Sequence, residues 1–204
     1  MKSLDSRGFE SLLRLKLKDL GGISVSQAEV MRRHYELLMR WNRTVSLTTI
    51  TKLEEVVERH YAESVLAAFH VERGTPRIAD VGSGAGFPGF PIAVIHPESS
   101  VTLVESVQRK AAFLRETIDL APNLSVINAR AESLTQTFDM LTTRAVRPKD
   151  VLHLIPRVAP AFLILISQAD AEEIQIHPRY TCEAPIPIPW SERTVILKGR
   201  CSFK

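Results

Sequence analysis

The sequence predicts an α/β fold built on a doubly wound sheet. Two short apolar runs, residues 78–81 and 101–104, have the length and composition of buried parallel strands. A glycine-rich turn follows the first run, and the second run ends in the acid Glu105. Strand, glycine turn, helix, strand and acid in this order are typical of a nucleotide-binding βαβ unit.

The N-terminal part of the chain predicts helices that precede the sheet. Apolar residues recur at near-helical spacing over residues 9–20, and the Gly-Gly pair at 21–22 ends that helix. Ser24 or Ser26 can cap a second helix, which runs to about residue 42. Both predicted helices have an apolar face that must pack on another element.

The chain is expected to form one domain with two parts. Residues 45–51 are β-branched and favour an extended segment, and residues 53–70 predict a third helix. A length of 204 residues suits a single domain with a substantial core. We therefore expect residues 1–204 to fold as one unit, with an N-terminal helical extension (1–70) and a doubly wound core (71–204).

The glycine turn contains four glycines at close spacing, Gly82, Gly84, Gly86 and Gly89. Glycine permits positive φ, and its missing Cβ lets a ligand lie against the backbone. Glu105 lies roughly twenty residues beyond the turn, where a carboxylate can reach the ribose hydroxyls of a bound nucleotide. The turn lacks the Gly-Lys-Ser/Thr ending of a phosphate loop, which disfavours nucleoside triphosphate binding. The alternative is a flexible turn followed by a solvated acid.

The rest of the chain continues the alternation of helix and strand. Helices are predicted over residues 108–120 and 149–158, with Pro156 kinking the second. Strands are predicted at 124–127, 138–142, 162–166 and 193–198. Three prolines within residues 181–189 favour an edge or irregular segment.

Composition and charge are those of a globular protein with a mild basic excess. The formal net charge is +3 and the sequence isoelectric point about 9.0, which is compatible with an RNA partner. No apolar run approaches the roughly twenty residues of a transmembrane helix, and residues 1–5 are unlike a signal sequence. Cys182 and Cys201 form no metal-spaced pair. We therefore expect a cytoplasmic monomer without a metal.

Basic residues decorate the first two predicted helices and their ends. Such residues can contact RNA phosphates, but a charged helix face is as often simply solvated. The candidates are Arg7, Arg14, Lys16, Lys18, Arg32, Arg33, Arg40 and Arg43.

The glycine turn also carries a resemblance to a known family. The stretch Asp80-Val-Gly-Ser-Gly-Ala-Gly-Phe-Pro-Gly-Phe-Pro resembles the cofactor loop of the bacterial GidB (RsmG) family, and the resemblance covers residues 41–146. It implies a Rossmann-like class I S-adenosylmethionine-dependent methyltransferase fold with an N-terminal helical extension. It further implies an enzyme that uses S-adenosyl-L-methionine to methylate N7 of a guanine in 16S ribosomal RNA. The implied partner is 16S rRNA or the small ribosomal subunit.

The resemblance also suggests which residues form the site. Arg130-Ala-Glu resembles the family's segment bordering the adenine, whose backbone groups can pair with the adenine edge. The implied cofactor contacts are Gly82, Gly84, Gly86, Phe87, Ala131 and Glu132, besides Glu105 at the ribose. Arg144, in a Thr-Arg-Ala segment like the family's Ser-Arg-Ala, is the predicted catalytic residue. Its planar donors can orient cofactor or base. The alternative for Arg144 is a salt bridge at a strand end.

Three positions depart from the family pattern. Glu63 stands where the family usually has Asp, and Ser46 replaces the Asn of its Asn-Leu-Thr segment. Ser167 stands where the family's fifth strand ends in Lys. His60, close to Glu63, is either a polar contact beside the cleft or, as is more usual for a lone helical histidine, a packed residue.

The implied reaction needs no general base, because guanine N7 has a lone pair and carries no proton. Positioning and desolvation can supply much of its rate. The chain also lacks the Asp/Asn-Pro-Pro-aromatic motif of amino-directed methyltransferases after the fourth predicted strand. Two other functions remain open. A nicotinamide-dependent oxidoreductase would use the same acid-ended strand, and a non-catalytic rRNA- or ribosome-binding module would need only the basic helices.

Overall fold

The computed structural model describes Ser6, residues 8–144 and residues 147–202. The expectations for residues 1–5, for Arg7 and for the end of the family resemblance at Val146 therefore lie outside the described residues. None of the described helices combines the length and the apolar character that a membrane span requires.

Two amphipathic helices open the chain, α1 (Phe9–Leu17) and α2 (Val25–Trp41). The predicted Gly-Gly pair closes the turn after α1, with both residues at positive φ. Ser24, rather than Ser26, begins α2. Its hydroxyl accepts a hydrogen bond from the Gln27 amide while the Gln27 side chain accepts one from the Ser24 amide, which forms a capping box.

The segment after α2 forms no strand, although an extended segment was expected over residues 45–51. Asn42 folds this segment instead. Its Oδ1 accepts the amides of Leu47 at 2.9 Å and Thr48 at 3.0 Å, and its Nδ2 donates to the Thr48 carbonyl at 2.9 Å. Local bonds from an asparagine side chain thus override the β-branched composition.

The third predicted helix exists and contains a π-helical turn. It consists of α3 (Leu53–Val56), a π-helix (Val57–Ala62) and α4 (Glu63–Phe69), which follow one another without a break. The amide of Glu63 donates to the carbonyl of Glu58, five residues back rather than four. Glu63 thus begins α4 one residue out of the ordinary helical register.

The described residues form an eight-stranded sheet with an antiparallel edge. The strands are β1 (Arg77–Val81), β2 (Ser100–Val104), β3 (Leu124–Ile127), β4 (Met140–Arg144), β5 (Ala161–Ser167), β6 (Tyr180–Cys182), β7 (Ile186–Pro187) and β8 (Thr194–Cys201). Their order is β3-β2-β1-β4-β5-β8-β6, with β7 also paired to β8. The pairs among β1 to β5 are parallel, whereas β8 runs antiparallel to β5. The predicted doubly wound sheet is confirmed.

Helices cover both faces of this sheet. One face carries the N-terminal helices together with α5 (Gly89–Ile95) and α6 (Gln108–Thr117), the latter prolonged by a 3-10 turn (Ile118–Leu120). The other face carries α7 (Pro148–Val151), α8 (Ile155–Val158) and α9 (Gln168–Gln175). Strand β5 shows the division, because Leu163 and Leu165 join the first core while Ile164 and Ile166 join the second.

Two predicted elements near β4 differ from the structure. β4 begins at Met140, later than predicted, because the Phe138 amide donates to the Val158 carbonyl at 2.8 Å and so lies off the ladder. The single helix predicted over residues 149–158 is wrong, since α7 and α8 are separate short turns. Pro156 lies in the first turn of α8, where its missing amide is tolerated.

Helix α9 was not predicted, and it follows directly on β5. Ser167, the last residue of β5, caps it by accepting the Asp170 amide at 3.1 Å. The proline-rich segment contains the short edge strand β7, as the prolines indicated.

Candidate functional site

The glycine turn connects β1 to α5 at the edge where the parallel strands end. Gly82, Gly84 and Gly86 have positive φ values of 71°, 57° and 89°, conformations that other residues rarely adopt. A Cβ on Gly84 would meet nothing closer than the Gly82 carbonyl oxygen at 3.9 Å. A Cβ on Gly86 would lie 3.4 Å from three side chains of the helices that cover this face of the sheet. Gly84 therefore faces open space, whereas Gly86 faces the interior.

Glu105, the residue after β2, holds the turn in place. Its Oε2 accepts the Gly84 amide at 2.9 Å, and its Oε1 accepts the Val107 amide at 2.8 Å. Two further amides of the turn donate to the Val104 carbonyl. The side chain is buried, yet each carboxylate oxygen keeps a lone pair that a ligand can use. The predicted acid thus lies in contact with the predicted turn.

Asp80, inside β1, is a buried acid that sequence reasoning did not place in the site. Its Oδ2 accepts the Gly89 amide at 3.1 Å, while its buried Oδ1 has no partner among the described residues. Burial raises the pKa of Asp80 to about 7, and the nearby Glu105 carboxylate adds to the rise. An acid inside an apolar strand, two residues before the first glycine of the turn, was the signal that could have identified it.

A cleft of about 350 Å³ opens beside the turn, at the carboxyl ends of β1 and β2. Three predicted cofactor contacts, Gly82, Ala131 and Glu132, line it together with Val104 and Leu154. Ala131 is buried, whereas Glu132 is exposed. The backbone carbonyl of Glu132 accepts a hydrogen bond from Arg157 at 2.6 Å, which fixes the position of this residue. The lining combines apolar side chains such as Val104 and Leu154 with polar residues such as Ser106 and Asp150, as ligand sites commonly do.

The side chain of Phe87 packs against the N-terminal helices behind the glycine turn. Its ring stacks on His60, with centroids 4.9 Å apart, and meets His34 edge-on at 5.5 Å. A ring nitrogen of His60 bonds the Thr48 hydroxyl at 2.8 Å, and one of His34 bonds the Tyr61 hydroxyl at 2.7 Å. The backbone of Phe87 is therefore the part that can contact a cofactor.

Both histidines of this layer are neutral near pH 7. Burial lowers the pKa of His34 to about 3, with a smaller effect of His60. Burial also lowers the pKa of His60 to about 3, reinforced by the positive charges of Arg144 and Arg59. His60 is a packed residue that supports Phe87, in agreement with the alternative favoured from the sequence.

Arg144, the last residue of β4, forms a buried ion pair with Glu63. Its Nη2 donates to Glu63 Oε2 at 2.8 Å, and the two side chains are only 16% and 3% exposed. Burial lowers the pKa of Arg144 and raises that of Glu63, while their attraction opposes both shifts. Nη1 has no partner among the described residues. Arg144 thus forms the salt bridge that the sequence offered as the alternative to a catalytic role. It also lines a second cavity, separate from the cleft beside the glycine turn, at the ends of β4 and β5.

The basic residues of the N-terminal helices have two kinds of surroundings. Arg32 bonds Glu10 at 2.8 Å and Glu36 at 2.6 Å, and Lys16 bonds Glu58 at 2.5 Å. These two residues therefore hold helices together. Five of the other candidates are exposed: Arg14, Lys18, Arg33, Arg40 and Arg43.

The two cysteines lie on neighbouring strands of the antiparallel edge. Cys182 in β6 and Cys201 in β8 are both free, and burial raises the pKa of each thiol. In the part of the chain that the structure describes, no group of three His, Cys, Asp or Glu side chains could hold a metal ion.

Comparison with known families gives a match over most of the chain. The family described as rRNA small subunit methyltransferase G (GidB) matches residues 27–183. A relative from Caldanaerobacter subterraneus subsp. tengcongensis, named Ribosomal RNA small subunit methyltransferase G, is 34% identical over 195 residues, covering 89% of this chain and 79% of the relative. A relative of the same name from Roseiflexus castenholzii is 41% identical over 128 residues, covering 59% of this chain and 55% of the relative.

Solved methyltransferase structures share the arrangement of strands and helices. A putative O-methyltransferase from Klebsiella pneumoniae superimposes with a TM-score of 0.67 at 16% identity, covering 97% of this chain and 99% of that one. A SAM-dependent methyltransferase from Aquifex aeolicus gives a TM-score of 0.58 at 14% identity, covering 72% and 93%. At these identities the likeness shows the fold, which is the Rossmann-like fold of class I methyltransferases.

Proposed function

The chain belongs to the rRNA small subunit methyltransferase G family, and on this premise we propose that it methylates N7 of a guanine in 16S ribosomal RNA. The methyl donor is S-adenosyl-L-methionine. The nicotinamide oxidoreductase and the non-catalytic binding module are not favoured by these relatives. As part of the same proposal, the chain acts as a monomeric single domain in the cytoplasm, with residues 1–70 as a helical extension of the core at 71–204.

The observation that carries this proposal is the bond between Glu105 and the Gly84 amide. It fixes an open-faced glycine turn against the end of β2, beside a cleft of about 350 Å³. The cofactor also fits two features of the structure. The missing Cβ of Gly84 leaves room for a ligand, and the buried Oδ1 of Asp80 is an acceptor without a partner in the described chain.

Each predicted contact has a distinct part in holding the cofactor. Gly82 and Gly84 would hold it with their backbone, as would Gly86 and Phe87 behind them. Glu105 would accept bonds from the ribose with its remaining lone pairs. Ala131 and Glu132 would border the adenine at the cleft wall.

The residues of the chain position the reactants and do not act as a base. The cofactor supplies an electrophilic methyl group on a positively charged sulfonium. A guanine N7 lone pair needs no deprotonation, and the buried neutral rings of His60 and His34 already bond Thr48 and Tyr61. Arg144, still charged at neutral pH, would orient the ligand through Nη1.

The experiment is single-turnover methyl transfer to small-subunit RNA from a strain lacking the modification. Reduction with borohydride and cleavage with aniline would then identify an N7-methylguanine. We expect a rate that lacks a steep rise through neutral pH, because no base has to ionise. A log-linear rise with pH in the wild type, or methylation at another atom, would contradict N7 as the acceptor.

Arg144 is tested in the same assay with its ion-pair partner altered. Removing Arg144 alone would leave a buried carboxylate unpaired, so Arg144→Ala is combined with Glu63→Gln and compared with Glu63→Gln alone. We expect the double variant to be slower by about 10- to 100-fold at every pH. Arg144→Lys should restore only part of the rate, since lysine lacks the planar fork. Equal rates in the double variant and in Glu63→Gln would remove Arg144 from the site.

A further inference from the structure

A second cavity lies beside the cofactor cleft, at the carboxyl ends of β4 and β5. It measures about 250 Å³, and four arginines line it. They come from four separate segments: Arg59 from the π-helical turn, Arg144 from the end of β4, Arg147 from the residue before α7, and Arg193 from the residue before β8. We call this the arginine cavity. Four guanidinium groups brought together from distant parts of a chain repel one another unless an anion lies among them.

The acids around the arginine cavity compensate only part of this charge. Asp170 is the one acid among its described lining residues, and the Ser167 hydroxyl bonds its carboxylate at 2.6 Å. Arg144 is paired with Glu63, and Arg147 with Asp150.

Two of the four arginines remain available to a ligand. Among residues that the structure describes, neither Arg59 nor Arg193 forms an ion pair, and both are exposed. Arg147 is also exposed, and its ion pair with Asp150 lies at the surface, where such pairs contribute little. Three guanidinium groups can therefore turn toward an anion that enters from solvent.

An ion pair joins the lining of the arginine cavity to that of the cofactor cleft. Arg147 lines the cavity, Asp150 lines the cleft, and their side chains bond each other at 2.8 Å. An anion in the cavity therefore lies near a cofactor bound in the cleft. In RNA, a backbone phosphate is joined to its base through a single ribose, so a phosphate held in the cavity keeps that base close to the cofactor.

We propose that the arginine cavity binds a backbone phosphate of RNA next to the nucleotide that is methylated, through Arg59, Arg147 and Arg193. This assignment rests on the proposed function, which supplies RNA as the substrate. Guanidinium groups form bidentate bonds to phosphate oxygens, and phosphate contacts fix the register of a nucleic acid without reading its sequence. The cavity thus positions the target nucleotide.

The test is the salt dependence of RNA binding by the variant Arg59→Gln/Arg147→Gln/Arg193→Gln. Each phosphate contact contributes about 0.7 to 0.9 to the slope of log K against log salt concentration. Because the three arginines share one phosphate, we expect the slope of the triple variant to be shallower by about 0.7 to 0.9. Between about 50 and 200 mM salt, wild-type affinity should therefore fall about 3-fold more than that of the variant.

A matched control removes the same charge from the opposite edge of the sheet. Arg73→Gln/Arg179→Gln/Arg200→Gln alters three exposed arginines near the amino ends of the parallel strands. This variant should keep the wild-type slope. Both variants should keep the wild-type affinity for S-adenosylhomocysteine in calorimetry.

Three results would overturn the proposal. The first is a wild-type salt slope in the triple variant. The second is a loss of S-adenosylhomocysteine affinity, which would assign the arginines to the cofactor. The third is weaker binding to the assembled subunit with unchanged binding to free RNA, which would assign them to a ribosomal protein. Absence of methyl transfer in the wild type would refute the proposed function instead, and the slopes would still test the cavity.

Discussion

Replacing the buried histidine His34 should make the folding free energy less sensitive to acid. Its ring is fully buried, stacks on Phe90 with centroids 4.0 Å apart, and bonds the Tyr61 hydroxyl. The substitution His34→Gln removes the titrating ring but keeps a polar group that can reach Tyr61. Some stability will be lost at every pH, because a packed ring is replaced by a smaller chain.

The pH dependence of that loss follows from the lowered pKa of His34. In the unfolded chain His34 takes up a proton as the pH falls through 6.5, whereas in the fold it stays neutral down to about pH 3. Acid therefore favours the unfolded state, and stability due to the neutral ring is lost as the pH falls between these values. Each pH unit is worth about 1.4 kcal/mol, so at about pH 4.5 the wild type has lost about 2 to 3 kcal/mol that His34→Gln keeps.

Urea unfolding followed by circular dichroism, between about pH 7.5 and 4.5, measures this difference. The cost of His34→Gln should shrink steadily below pH 6.5 and can change sign. His153→Gln is the control for replacing a histidine, since the His153 side chain is 51% exposed and its loss removes no buried packing. A cost of His34→Gln that is equal at all pH values would show that the ring titrates in the folded protein, and would refute the reasoning.

Three further substitutions test the glycine turn and its supports. Gly84→Val should abolish S-adenosylhomocysteine binding in calorimetry, because φ is 57° and the side chain would enter the ligand space. Gly74→Val is the control: it is strained at φ 82° but lies on the opposite edge of the sheet, so it should keep the affinity. Equal affinities of the two variants would refute the assignment of the turn. Glu105→Gln should weaken the cofactor by about 1 to 3 kcal/mol, and an unchanged affinity would remove Glu105 from the ribose. Gly89→Ala should destabilise the fold by about 1 to 3 kcal/mol in thermal unfolding, because its Cβ would lie 2.6 Å from Asp80 Oδ2; a wild-type melting temperature would show that the backbone can move aside.

Much of the sheet could be predicted because parallel strands are buried on both faces. Such strands appear in a sequence as continuous apolar runs, and β5, buried from Phe162 to Ile166, lies where its run predicts. The position of Glu105 could be predicted for a related reason. It follows a parallel strand, and ligands of such sheets bind at the edge where the carboxyl ends of the strands lie. Its bond to the Gly84 amide is the detail that the pattern left open.

Other features depend on packing that a linear pattern does not contain. The ion pair of Arg144 and Glu63 joins residues 81 positions apart, and only the packing of the N-terminal helices on the sheet brings them together. Helix α9 buries just Ala171 and Ile174, which is too sparse an apolar face to stand out beside the run of β5. The arginines of the arginine cavity likewise come from four segments, so they form no cluster of charge in the sequence that would predict it.

The π-helical turn makes the third helix sensitive to a change of length by a single residue. One inserted residue rotates everything after it by about 100° around the helix axis. Deleting one residue within Val57–Ala62 would let an ordinary α-helix form, with all its backbone bonds intact. The surface toward Phe87 and the surface toward Arg144 would then no longer face their partners together. A chain shortened at this point would keep its helix but lose the alignment between the N-terminal helices and the sheet. The π-helical turn therefore sets the rotation of the residues after it relative to those before it.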